Sequence, residues 1–244
     1  MRNEMAVIVN GETLLLDVSG AAFWPSQEAL IFADLHLEKG SSYARGRQFL
    51  PPHDTEATLR KMAGAVRRFQ PRRIVALGDS FHDPEAAERL SAEARSMLKA
   101  LAGEFIWISG NHDPKPPAWL GGTVTPEWAM GRLIFRHEPR LDPKPGEIAG
   151  HLHPCARLAK WGRSVRRRCF AADGGRMVLP SFGAYTGGLD VGEEPIAQLF
   201  GQRFHAYMLG EERVYAIPRI QAGRRKITDD NHPLISAMTT AARP

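Results

Sequence analysis

The chain has 244 residues, of which 43% are apolar and 24% charged, and it carries a net charge of +5. These values are typical of one large globular domain and exclude a disordered or fibrous chain. No apolar run of about eighteen residues occurs, so the sequence predicts no membrane-spanning helix and no membrane partner. The N-terminus lacks an apolar signal segment, and two cysteines are too few for a disulfide framework, so we expect a cytoplasmic protein.

The first half of the chain predicts strands that alternate with helices. Asn10-Gly11 lies between two apolar runs and predicts a β-hairpin of Met5 to Val9 with Thr13 to Val18. The elements predicted next are a strand from Ala29 to Ala33, a helix from His53 to Phe69, a strand from Arg73 to Leu77, a helix from Pro84 to Leu101 and a strand from Phe105 to Ile108. Ligands bind at the carboxyl ends of strands in open α/β sheets, so we expect the polar residues there to share one site.

The second half predicts short strands and turns that form a second sheet. The predicted strands are Leu133 to His137, Ile148 to His151, Arg167 to Ala171, Arg176 to Leu179, Ile196 to Phe200, Ala206 to Leu209 and Arg213 to Ile217. No linker or repeat divides the chain. We therefore predict one domain over residues 1–218, followed by a basic, loosely ordered tail over residues 219–244.

Basic residues are concentrated in three stretches, at residues 60–73, 163–168 and 219–226. A basic surface attracts polyanions and phosphate-bearing ligands. The alternative is that these stretches are solvated faces with no ligand. Charge alone leaves both interpretations open.

Five short polar motifs follow one another in a fixed order. They are Asp34-Leu35-His36, Gly78-Asp79, Gly110-Asn111-His112-Asp113, an isolated His137 and Gly150-His151-Leu152-His153. Each motif alone is weak, but together they offer two aspartates, one asparagine and four histidines as ligands. This set suits two divalent cations held side by side, which is an arrangement that hydrolyses phosphate esters. Mixed oxygen and nitrogen donors favour Mn, with Fe or Zn as alternatives, over Mg or Ca.

The ordered motifs resemble those of the calcineurin-like metallophosphoesterases. The resemblance implies a four-layer α/β fold in which helices flank two facing mixed β-sheets. It implies one metal held by Asp34, His36, Asp79 and His153, and a second held by Asp79, Asn111, His137 and His151. It leaves His112 as the histidine that acts on the substrate. Asp113 either orients His112, which would give it a catalytic role, or caps a turn.

Two further residues are candidate substrate contacts. The family often has an aspartate three positions after the bridging one, where this chain has His82 followed by Asp83. His82 either contacts a substrate phosphate or begins the next helix. Arg45 lies in the loop after the first motif and either binds phosphate or is an ordinary exposed arginine.

A narrower resemblance rests on three runs: residues 33–40 (ADLHLEKG), 77–83 (LGDSFHD) and 180–188 (PSFGAYTGG). They are similar to the bacterial ligase-associated DNA-damage-response metallophosphoesterases, an endonuclease group encoded near a DNA ligase and a helicase. This resemblance implies DNA as substrate, and the ligase and helicase as partners.

The sequence thus predicts a metal-dependent phosphodiesterase or nuclease that acts on DNA in a repair context. One alternative keeps the chemistry and replaces DNA with a small nucleotide or a nucleotide-lipid. Another is a catalytically silent scaffold of the same fold. Retention of every predicted metal ligand and of His112 disfavours the scaffold.

Overall fold

The computed structural model describes residues 4–220 apart from residues 49, 52, 102, 117, 161–162 and 202. Within them, the strands are β1 (Met5–Val9), β2 (Glu12–Leu16), β3 (Ala22–Trp24), β4 (Ala29–Phe32), β5 (Arg73–Leu77), β6 (Glu104–Ile108), β7 (Thr123–Thr125), β8 (Glu127–Met130), β9 (Leu133–Arg136), β10 (Glu147–Ala149), β11 (Cys155–Lys160), β12 (Arg163–Ala172), β13 (Arg176–Val178), β14 (Arg203–Leu209) and β15 (Val214–Ile220). The α-helices are α1 (Lys39–Arg45), α2 (Asp54–Phe69), α3 (Ala86–Arg89), α4 (Ala92–Lys99) and α5 (Glu194–Ala197), with 3₁₀ turns at Pro25–Gln27 and Ala118–Leu120.

The first sheet is mixed and has the strand order β1-β2-β3-β4-β5-β6-β7. Strands β1 to β4 pair antiparallel, and β4 to β7 pair parallel. The predicted hairpin is confirmed: Asn10 and Gly11, both with positive φ, connect β1 to β2. Because β4, β5 and β6 are parallel, the residues that follow them lie at one edge of the sheet.

The second sheet has the order β15-β14-β12-β13-β10-β9-β8, and β11 pairs with β12 beside it. Strand β10 is parallel to both β9 and β13, and the other pairs are antiparallel. The residues that follow β9 and β10 therefore also lie at one edge of their sheet.

The two sheets pack face to face over an apolar core. Alternate side chains of the central strands, such as Ile31 and Val75 from the first sheet and Phe135 and Ile148 from the second, are fully buried in this layer. The intervening residues of the first sheet pack against α2, α3 and α4, and α5 packs on the outer face of the second sheet. The layers are therefore helices, sheet, sheet and helix, as expected for strands buried on both faces.

Two predicted elements are wrong in detail. The helix predicted from Pro84 to Leu101 is interrupted at Leu90, which has an extended ψ of 131°, and α4 begins afresh after Ser91. The Ser91 side chain accepts a hydrogen bond from Ala94 N and so caps the new helix. The apolar run Ile196 to Phe200 was predicted as a strand, but the chain forms the short helix α5 there.

The end of the chain differs in part from the prediction. Strand β15 continues through Ile220 and includes the first two residues assigned to a loose tail. The rest of that predicted tail, residues 221–244, lies outside the described residues. Among the helices that the structure describes, none has the length and apolar character to cross a membrane.

Candidate metal centre

The five polar motifs meet where the carboxyl edges of the two sheets face each other. Asp34, Asp79 and Asn111 follow β4, β5 and β6, while His137 and His151 follow β9 and β10. Hydrogen bonds join the two edges: His151 N donates to both oxygens of Asp34, at 3.0 and 3.2 Å. The structure thus brings together side chains from both halves of the sequence.

The predicted ligands lie on unusual backbone. Asp34, His36, Asp79, His151 and His153 all have positive φ, between 44° and 68°. Such conformations are disfavoured for residues with a Cβ, and they cluster at functional sites because the surrounding contacts must enforce them. The positive φ values therefore support a function for these turns.

Two glycines allow the turns to approach one another. Gly78 has φ of +72°, and a Cβ there would overlap the His137 ring. A Cβ on Gly150 would lie 2.6 Å from Asp34 Oδ2. Both positions need the absence of a side chain so that ligand-bearing turns can touch.

One group of donors comprises Asp34, His36 and His153. One atom from each lies within 4.8 Å of the other two. His153 Nε2 is 3.2 Å from Asp34 Oδ1, yet this buried nitrogen has no hydrogen-bond partner in the described structure. Buried polar atoms are nearly always paired, so the unpaired nitrogen fits a metal ligand.

A second group comprises Asp79, His137 and His151, again with one atom from each within 4.8 Å of the others. Asn111 joins them, since its Oδ1 lies 2.9 Å from His137 Nε2. Asp79 Oδ2 is 3.4 Å from His137 Nε2 and 3.8 Å from His36 Nε2, so this carboxylate lies between the two groups. All seven predicted metal ligands are therefore neighbours.

The protonation of most of these groups, with His137 as the exception, suits cation binding, since metals need neutral imidazoles and ionised carboxylates. Burial lowers the pKa of His36 to about 2 and also lowers the pKa of His151. Burial acts to raise the pKa of Asp79, but the hydrogen bond and charge of His137 hold it below its usual range. Burial acts to lower the pKa of His137, yet its hydrogen bond to Asp79 and the nearby carboxylates raise it to about 9. A cation bound there must displace that proton.

Backbone carbonyls fix the orientation of two histidines. His137 Nδ1 donates to Leu77 O at 2.8 Å, which leaves Nε2 facing Asp79 and Asn111. His112 Nδ1 donates to His82 O at 2.8 Å, and its Nε2 lies 3.9 Å from Asp79 Oδ2. The exposed fraction of the His112 side chain is 40%, so a substrate can reach part of this side chain.

Within the described structure, Asp113 forms no hydrogen bond with the His112 ring. Its Oδ2 accepts hydrogen bonds from Ser80 N at 2.9 Å and Phe81 N at 3.1 Å, directly behind the turn that carries Asp79. Burial raises the pKa of Asp113 to about 7 against the effect of these donors. This geometry favours the turn-capping alternative, and the catalytic role remains a prediction.

The two predicted substrate contacts lie in different surroundings. The His82 ring stacks on His112 with centroids 5.2 Å apart, and its Nδ1 is 3.3 Å from His36 Nδ1. Arg45 forms an exposed ion pair with Glu85. His82 is thus next to the predicted metal ligand His36, while a phosphate contact by either residue remains a prediction.

The loop of residues 181–188 also contributes to the site. It belongs to the run PSFGAYTGG, residues 180–188, on which the narrower resemblance partly rests. Ser181 Oγ donates to Asp34 O at 2.9 Å, and Gly183 N donates to the same carbonyl at 3.1 Å. Gly188 lies so close to His153 O that a Cβ would overlap it. Arg168 donates to Ser181 O and Thr186 O, so the loop is held from outside by a half-buried guanidinium. No periodicity or spacing in the sequence indicated the role of Arg168.

One solved structure is similar to the chain over most of its length. No family model and no curated protein matches the chain. The chain is similar to the crystal structure of Pseudomonas putida nuclease MPE, with 29% identity, a TM-score of 0.71, and coverage of 88% of this chain and 100% of that one.

Two weaker matches carry no argument because their TM-scores are low. The first is the phosphoesterase Yfce from E. coli, with 17% identity, coverage of 78% of this chain and 97% of that one, and a TM-score of 0.39. The second is the protein of unknown function AQ665 from Aquifex aeolicus, with 16% identity, coverage of 55% of this chain and 81% of that one, and a TM-score of 0.38. The likeness to the Pseudomonas putida nuclease confirms the predicted two-sheet fold and agrees with the predicted hydrolase.

Proposed function

We propose that this chain, which resembles the metallophosphoesterases in fold and in motifs, hydrolyses phosphodiester bonds with the help of divalent cations. The observation that carries the proposal is the position of Asp79. Its carboxylate lies within 3.4 Å of a nitrogen from one donor group and 3.8 Å of a nitrogen from the other. A carboxylate between two sets of donors is the arrangement expected of a bridge between two cations.

The donors divide into two sets that fit two cations. Asp34, His36, Asp79 and His153 would hold one, and Asp79, Asn111, His137 and His151 would hold the other. Imidazole nitrogens mixed with carboxylate and amide oxygens favour Mn, with Fe or Zn as alternatives. Bound there, such ions lower the pKa of water towards neutrality and offset charge on phosphoryl oxygens.

His112 supplies the acid–base function. Its Nδ1 is committed to His82 O, so in the neutral ring the proton lies on Nδ1 and Nε2 can accept. When protonated, Nε2 can donate to the oxygen that leaves phosphorus. The His112 backbone N–H also donates to Asp79 Oδ1 at 3.0 Å, which ties the histidine to the bridging carboxylate.

DNA is the substrate that the observations favour. The neighbour with 29% identity is described as a nuclease. The net charge of +5 is compatible with a polyanionic substrate. The sequence resemblance that suggests DNA also suggests a repair context, with a DNA ligase and a helicase as partners.

One assay with purified protein and Mn²⁺ tests the proposal. Labelled single-stranded, nicked and duplex DNA are compared with bis(p-nitrophenyl) phosphate, using Asp79→Asn as the matched inactive variant. We expect metal-dependent cleavage that chelation abolishes and that Asp79→Asn lacks. Cleavage of the small diester alone would support the small-substrate alternative. An inert protein with full metal content would identify a silent scaffold and overturn the proposal.

A further inference from the structure

A basic hairpin begins two residues after the ligand His153. Strands β11 and β12 pair antiparallel, with Cys155 opposite Arg168, Arg157 opposite Arg166 and Ala159 opposite Ser164. Directly opposed residues of an antiparallel pair project from the same face. Arg157, Arg166 and Arg168 therefore share one face of the hairpin, which we call the arginine face.

The arginine face is turned towards the metal centre. Arg168 donates to Ser181 O at 3.0 Å and to Thr186 O at 3.3 Å, and Ser181 Oγ donates to Asp34 O. Arg166 donates to Gly188 O, and Gly188 packs against His153 O. The loop of residues 181–188 thus lies between this face and two predicted metal ligands.

The charge of this face is not balanced within the described structure. Residues 155–168 include arginines and a lysine but no aspartate or glutamate. Arg157 and Arg166 are exposed, and no carboxylate of the described residues forms an ion pair with either. Like charges opposite each other across a strand pair are unfavourable by themselves, so a bound anion would relieve the repulsion.

We infer that the arginine face binds the phosphates of a nucleic acid strand that extends from the metal centre. The inference rests on the proposed function and adds the surface that holds the substrate outside the reacting bond. Arg157 and Arg166 are not among the predicted metal ligands, and Arg166 is linked to His153 only through Gly188, so both lie where phosphates next to the reacting one would bind. Only a ligand with several phosphates would contact the metal centre and these arginines together. A guanidinium group can bind one phosphate through two parallel hydrogen bonds.

A pair of double variants tests the inference with matched charge. Arg157→Ala with Arg166→Ala removes two cations from the arginine face. Arg163→Ala with Arg167→Ala removes two from the opposite face, because Arg163 and Arg167 alternate with Arg166 and Arg168 along β12. Binding of a fluorescein-labelled phosphorothioate oligonucleotide to Mn²⁺-loaded protein is measured by anisotropy over a salt series.

We expect Arg157→Ala with Arg166→Ala, the first pair, to weaken binding by about tenfold or more. A loss of that size corresponds to one charge-assisted hydrogen bond. The slope of log affinity against log salt should fall by about 2, one for each lost phosphate contact. The second pair should change both quantities less. Equal effects of the two pairs, or no effect of the first, would overturn the inference.

Arg166 also contacts Gly188, so Arg157→Glu serves as a second variant that leaves the loop contact in place. It should weaken binding with no loss of thermal stability; unchanged binding would contradict the inference.

Binding is measured apart from hydrolysis, so the two proposals fail separately. A protein that binds through this face and hydrolyses nothing would refute the proposed function alone. Active protein with equal kcat/KM on DNA for both double variants would refute the role of the hairpin alone.

Discussion

His153 Nε2 lies 3.2 Å from Asp34 Oδ1, and the nitrogen is buried without a hydrogen bond in the described structure. A buried polar atom left unpaired costs about 1–3 kcal/mol. The His151 N–H already occupies the Asp34 carboxylate from the other side. His153 Nε2 and Asp34 Oδ1 face each other without a hydrogen bond, so a cation that binds between these two atoms would stabilise the arrangement.

Mn²⁺ should therefore stabilise the protein, and His153→Ala should remove most of that effect. A ligand present at 100 times its Kd adds about 2.7 kcal/mol to the free energy of unfolding. We expect a clear rise in Tm with Mn²⁺ for the unmodified chain and for His205→Ala, an exposed histidine on β14. Thermal denaturation with and without Mn²⁺ measures this, and an equal rise in His153→Ala would contradict it.

His112→Ala should retain metal and lose turnover. His112 contacts Asp79 through its backbone N–H, and its Nε2 is the group left to exchange a proton with substrate. Loss of acid–base assistance lowers turnover by about 10²–10⁴-fold. Steady-state hydrolysis of bis(p-nitrophenyl) phosphate and elemental analysis check both parts. Turnover close to that of His205→Ala would exclude this role.

Much of the site could be predicted because its signals are local in sequence. The buried strands β4, β5 and β6 are continuous apolar runs, and each ends at a motif with a potential ligand. Parallel pairing then places the motifs at one edge. The second sheet delivers His137 and His151 to the same place through β9 and β10, as their order in the chain indicated.

The elements that were missed depend on contacts between distant residues. Helix α1 contains Gly40 and two serines, which are poor helix formers, and its first turn is held by Gly40 N donating to Asp54 Oδ2 at 3.0 Å. In β11 and the first part of β12, arginines replace the apolar alternation that identifies a strand. For α5, the apolar run Ile196 to Phe200 predicts a strand, whereas Glu194 and Pro195, which precede it, are typical of the helix N-terminus that the structure has there.

Gly78→Ala should impair metal binding because a Cβ there would overlap the His137 ring. The positive φ of +72° adds strain for any residue with a side chain. Gly64→Ala is the matched control, since Gly64 lies within α2 with nothing within 4 Å of the added Cβ, and it should stabilise the protein by about 0.5–1 kcal/mol. Calorimetric titration with Mn²⁺ and urea unfolding separate the two effects. Similar Mn²⁺ affinity in both variants would contradict the packing argument.

Lys61 makes stability depend on pH in the alkaline range. Its Nζ donates to Phe182 O at 3.0 Å, and burial, with added repulsion from Arg168, lowers its pKa from 10.5 to about 7. Between these values the unfolded chain binds more protons than the folded one, so the free energy of unfolding rises with pH. The slope contributed is at most about 1.4 kcal/mol per pH unit.

Lys61→Met should lack this rise and be relatively more stable below pH of about 7, where the folded chain carries the buried charge. Urea unfolding measured at pH values from about 7 to 10.5 checks this pH dependence. Lys99→Met, on the exposed side of α4, is the control. Parallel pH profiles for Lys61→Met and the unmodified protein would rule out the effect.

We expect the two donor groups to hold two cations across the carboxylate of Asp79. Crystals grown with Mn²⁺ and measured at the manganese absorption edge test it most directly. We expect two anomalous peaks, one on each side of Asp79, with His36 and His153 at one and His137 and His151 at the other. Absence of metal between these side chains, or a single ion that Asp79 does not contact, would contradict it.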